Sequence, residues 1–88
     1  MQSNGKGGSK MPFSSEVKKV RLSCFLNQAE FAKAIGVSFT TVNRWENGKA
    51  QPSLKAMKAL KSFCTQHGYP YEIIEKSWHE AMINSSKI

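Results

Sequence analysis

Between Leu26 and Ser53 the chain reads LNQAEFAKAIGVSFTTVNRWENGKAQPS, and two glycines inside it, Gly36 and Gly48, constrain the fold more than any other feature. Each closes a run of helical periodicity where the backbone needs a residue free to turn left-handed. Asn27 is a good N-cap, and Glu30 lies three residues on, the spacing of a capping box, so a helix is predicted over Gln28–Ile35. Its apolar residues Phe31, Ala32 and Ile35 share one face. Ser38 then caps a second helix, predicted over Phe39–Asn47 and stopped by Gly48. The small side chain of Ala32 lets these two helices cross closely.

At 100° per residue the second helix divides into two sides. Thr41, Val42, Trp45 and Glu46 fall on the side that packs; Phe39, Thr40, Asn43, Arg44 and Asn47 fall on the other. The outer side gathers a guanidinium, two carboxamides and a hydroxyl. These are the groups that read base edges in a major groove wide enough to admit a helix.

Together, Gln28, Ala32, Gly36, Val42, Trp45, Gly48 and the Pro52–Ser53 pair resemble the helix-turn-helix of the phage repressor and Cro family, also called the XRE family, over roughly residues 16 to 67. The resemblance implies an all-α, compact five-helix fold like that of the lambda repressor, with the helix-turn-helix formed by the second and third helices. It implies that residues at the positions of Phe39, Thr40 and Arg44 face bases, and the polar outer side of the helix adds Asn43 to that set. Gln28, Ser38, Asn47 and Lys49 would approach the sugar-phosphate backbone, and Ile35, Val42 and Trp45 would be core. Two positions depart from the family pattern. Phe25 stands where glycine is frequent, which predicts a different turn out of the first helix. Phe39 stands where a polar residue is common; its aromatic ring has a thymine methyl group as one partner and its own protein surface as the other.

Charge agrees with this reading. The 88 residues carry 13 Lys and Arg against 6 acidic side chains, all of them Glu, for a net charge of +7. Residues 1 to 68 hold 11 of the basic and 3 of the acidic groups, while residues 69 to 88 hold 2 and 3. The positive field thus covers the helix-turn-helix, where it favours phosphate and makes binding salt-dependent.

Outside the motif, residues 1 to 12 are Gly-, Ser- and Lys-rich without apolar period and are expected to be disordered, with Met11 a candidate natural start behind an added leader. A first helix is predicted from about Ser15 to Cys24, its inner row being Val17, Val20, Arg21 and Cys24. An arginine in that row needs a partner. Glu46 is the candidate, and the family resemblance implies an ion pair between these two positions; the alternative is that Arg21 reaches out toward a phosphate. Ser53 caps a fourth helix to about His67, with Leu54, Met57, Leu60 and Cys64 as its core stripe. A last helix is predicted from Tyr71 to Asn84. Its apolar set, Tyr71, Ile73, Ile74, Trp78, Ala81, Met82 and Ile83, is wider than one face, so residues 69 to 88 are read as a dimerisation element following a DNA-binding domain over residues 13 to 68.

Catalytic and metal readings fail on arrangement. Cys24 and Cys64 lie far apart on helical core faces with no Cys or His at metal-ligand spacing, and are expected to be reduced core residues. His67 and His79 lack a nucleophile or carboxylate at a useful spacing, and no phosphate-cradling glycine loop follows a strand. No enzyme, metal or cofactor is expected. With no apolar targeting or membrane run, a cytoplasmic protein is expected. The expected function is sequence-specific binding of double-stranded operator DNA as a transcriptional regulator, a repressor, working as a homodimer. The alternatives are an antitoxin that represses its own operon and holds a toxin partner, and a coactivator-like module that bridges proteins.

Overall fold

The structure is a computed structural model that describes residues 12–86, with side chains through residue 83. The leader expected to be disordered lies, apart from Pro12, outside the described residues. Five helices follow one another: α1 (Phe13–Ser23), α2 (Gln28–Ile35), α3 (Phe39–Glu46), α4 (Leu54–Gln66) and α5 (Tyr71–Ser86). No strand occurs among the described residues.

The helix ends follow local chemistry. The Asn27 carboxamide oxygen accepts from the Glu30 N–H at 2.7 Å while the Glu30 carboxylate accepts from the Asn27 N–H at 2.9 Å, completing the capping box. Gly36 closes α2 at φ 77° and Gly48 follows α3 at φ 72°. The chain after α3 folds back so that the Lys49 N–H reaches the Arg44 carbonyl at 2.8 Å. Asn47 is therefore the C-cap of α3 rather than its last helical residue, and His67 stands in the same relation to α4. The start of α1 also differs from expectation. Pro12 is the N-cap, its carbonyl accepting from the N–H groups of Ser15 and Glu16, both at 3.0 Å, so the helix begins two residues before Ser15 without a side-chain cap. That brings Phe13 and Glu16 into the buried row.

Val17, Val20, Phe31, Val42, Leu60, Cys64 and Ile74 are fully buried, one or more from each helix, so the core is a single cluster. Phe31 meets Phe63 edge to face with centroids 5.1 Å apart, and Phe13 meets Trp45 at 6.4 Å. Leu54, the first residue of α4, is 69% exposed and not part of the core, whereas Phe63, further along the same helix, is buried against Phe31. Cys64 is buried, and burial followed by the neighbouring Cys24 pushes its thiol up to about 11. Cys24, at the end of α1, is only partly buried and packs on the core's edge.

Two features tie α1 to the helices that follow it. Phe25 takes the left-handed conformation at φ 60° that glycine would take, so the expected change of turn does not occur. The Leu26 N–H reaches the Arg21 carbonyl at 3.3 Å and the Phe25 N–H reaches that of Leu22 at 3.0 Å, leaving the Phe25 side chain 94% exposed. The second feature is Arg21 itself. Its Nε donates to Glu46 Oε2 at 2.7 Å, its Nη2 to Glu46 Oε1 at 2.9 Å, and its Nη1 to the Leu26 carbonyl at 2.9 Å. The two side chains are 9% and 4% exposed, so Arg21 does not reach out toward solvent. The hydrogen bond to Glu46 holds the guanidinium pKa above its ordinary value against the opposing effect of burial.

Two stability outcomes are expected. A non-glycine residue in the left-handed region costs about 1–2 kcal/mol and glycine gives back part of that in chain entropy. Phe25→Gly should therefore raise stability by about 1 kcal/mol in urea unfolding, and an unchanged or lower midpoint would show that the turn is unstrained. Glu46→Ala strands a buried guanidinium and should cost on the order of 3 kcal/mol. Replacing the pair together, Arg21→Met with Glu46→Leu, should cost much less than either partner removed alone, and a double-mutant cycle without coupling would contradict this.

Candidate nucleic-acid interface

The outer side of α3 is presented because its inner side is fully occupied. Val42 is 0% and Trp45 2% exposed, which fixes the helix's rotation and turns Thr40, Arg44 and Asn47 outward. Phe39, 53% exposed, stays on this surface and does not fold back into the core. Ser38 caps α3, its hydroxyl accepting from the Thr41 N–H at 3.1 Å and sharing a hydrogen with the Thr41 hydroxyl at 2.8 Å. Lys49 is exposed in the loop just beyond the helix.

The Arg44 guanidinium makes no hydrogen bond or ion pair among the described residues, so its fork of five donors is available. It borders a cleft of about 230 Å³ between α3 and the following loop, lined also by Val37, Thr41, Trp45, Gln51 and Pro52. The side-chain carbonyl of Gln51, buried there, has no hydrogen-bond donor.

Asn43 differs from its neighbours. It is half-buried at the boundary of α3, and its Nδ2 donates to Gln28 Oε1 at 3.1 Å while its Oδ1 accepts from Asn47 Nδ2 at 3.1 Å. Gln28 in turn donates from Nε2 to Glu46 Oε1 at 3.0 Å. Six of the residues singled out in the sequence thus separate into two groups. Arg21, Glu46, Gln28, Asn43 and Asn47 form one continuous polar chain from the core to the surface, and Arg44 stands beside it unengaged. The sequence holds a trace of that chain in the i, i+3 and i+4 spacing of Asn43, Glu46 and Asn47, but Gln28 joins it only through the crossing of α2 and α3.

No group of three or more His, Cys or Glu side chains among the described residues is arranged to hold a metal ion. No helix among them is long and apolar enough to cross a membrane.

Comparison with known proteins gives the same frame. Over 53 residues, 60% of its own length, the chain is 30% identical to the HTH-type transcriptional activator BcrR of Enterococcus faecalis, and it spans 26% of that protein. No solved structure matches it. A family model described as helix-turn-helix matches residues 17–64, which begin within α1 and end within α4 and so enclose the crossing of α2 and α3. With that match over more than half of its length, the chain belongs to the XRE-type helix-turn-helix family.

Proposed function

We propose that this domain binds double-stranded DNA in a sequence-specific manner and regulates transcription, acting as a repressor by occupying its operator. The observation that carries the reading is the outer side of α3, where Arg44 is exposed and unpaired beside Thr40, Asn43 and Phe39 on a helix whose rotation the core has fixed. A helix fits the major groove, and a forked guanidinium matches guanine O6 and N7. Thr40 and Asn43 would offer a hydroxyl and a carboxamide to neighbouring bases, with Phe39 toward a thymine methyl group. Gln28, Ser38, Asn47 and Lys49 would hold the register on phosphates. The relative in Enterococcus faecalis is named as a transcriptional activator, which supports regulation of transcription as the output of such a domain.

A homodimer on DNA is part of this reading, because one helix of this length covers few bases. Ile74 and Trp78 close the monomer's core, whereas Ile73 is 41% and Ile83 56% exposed on α5. Residues 69 to 88 carry little of the positive charge, so two copies can approach there without strong repulsion.

Selecting duplexes from a random pool tests binding, specificity and site symmetry together. Arg44→Ala should lose ~1–3 kcal/mol on the selected site and relax preference at one base pair. Lys49→Ala should weaken all sequences alike and lower the salt slope by about one unit. A selected motif identical for wild type and Arg44→Ala would remove Arg44 from base reading. For the dimer, sedimentation at tens of micromolar should show an associating wild type and a monomeric Ile73→Glu, Ile83→Glu variant. A wild type that stays monomeric both alone and on a duplex with two half-sites would rule the dimer out.

A further inference from the structure

The polar chain that ends at Asn43 has a direction. Glu46, paired through both oxygens with the Arg21 guanidinium, is an acceptor only, so Gln28 must turn its NH2 end toward it. The Gln28 carbonyl then faces Asn43, which must answer with its own NH2 group, and the Asn43 carbonyl is left to accept from Asn47. The two ends of a carboxamide are nearly identical in shape, so packing alone does not choose between them. Reversing Asn43 would set oxygen against oxygen at Gln28, whose own order Glu46 fixes, exchanging a hydrogen bond for a repulsive contact. With one Nδ2 hydrogen and one Oδ1 lone pair committed inside the protein, a second hydrogen and a second lone pair remain. Those are the groups that an asparagine needs for a bidentate pair with adenine, donating to N7 and accepting from N6.

We propose that Glu46 is a specificity-determining positioning residue: acting through Gln28, it fixes the order of donor and acceptor that Asn43 presents to a base, and so favours adenine in one orientation at that position of the site. This rests on the reading of α3 as the helix that meets base edges.

Two measurements test it. In the free protein, NMR should resolve the two Nδ2 hydrogens of Asn43, the one bound to Gln28 exchanging with water about tenfold more slowly than the other. Gln28→Met, which leaves the ion pair in place, should abolish that difference. Equal rates in the wild type would overturn the proposal without DNA being involved. The second measurement repeats duplex selection with Gln28→Met and with the paired replacement Arg21→Met, Glu46→Leu, whose folding is checked by thermal denaturation. Both should lose adenine preference at the pair facing residue 43 by about fivefold or more while the guanine preference read by Arg44 persists. If the paired replacement does not fold, Gln28→Met alone carries the comparison. A wild type that selects a motif, with the same adenine preference in the variants, would overturn the role of Glu46 and leave DNA reading intact. A wild type that selects no sequence would remove both.

Discussion

The contact between Arg21 and Glu46 joins a helix that is otherwise held by apolar packing to the helix that carries the exposed polar face. It is buried, bidentate and further hydrogen-bonded to the Leu26 carbonyl, so it fixes three things together: the rotation of α1, the position of the loop that leaves it and the inner edge of α3. An apolar pair could fill the same space with comparable stability. What an apolar pair could not do is anchor Gln28, and with it Asn43 and Asn47, in one hydrogen-bonded order. Stability and the pattern on the surface therefore part company at this site, and the ion pair is explained better by the second than by the first.

Much of the fold was legible because its punctuation is local. The capping box at Asn27 and Glu30, the serine caps at Ser38 and Ser53, and the left-handed glycines at Gly36 and Gly48 each act over three or four residues, a range that spacing alone reveals. Where expectation failed, the cause was not local. Pro12 caps α1 through its carbonyl and leaves no side-chain mark, so the start of that helix and the burial of Phe13 and Glu16 were out of reach. Leu54 looked like core by its spacing but stays exposed at the first turn of α4, while Phe63, outside that stripe, is buried because α2 brings Phe31 against it. Phe25 shows the opposite case: its departure from the family's usual glycine predicted a new turn, and the surrounding bonds imposed the old one on an unsuited residue.

The interface divides the same way. That Arg44 and Thr40 would be outward followed from the helical period, since Val42 and Trp45 had to be inward. That Asn43 would be half-buried and already bonded on two sides did not follow, because it depends on where Gln28 arrives from another helix. A helical wheel sorts residues by angle. It says nothing about a neighbour that leans over the edge.

α5 is more than a lid on the core. The Trp78 indole N–H donates to the Pro52 carbonyl at 2.9 Å, across 26 residues of sequence, and Pro52 ends the loop that begins at Gly48 and carries Lys49. The last helix is thus bolted to the segment that flanks the exposed face of α3. Trp78 therefore serves two parts of the molecule at once, closing the core with its ring and holding the end of the Lys49 loop with its N–H.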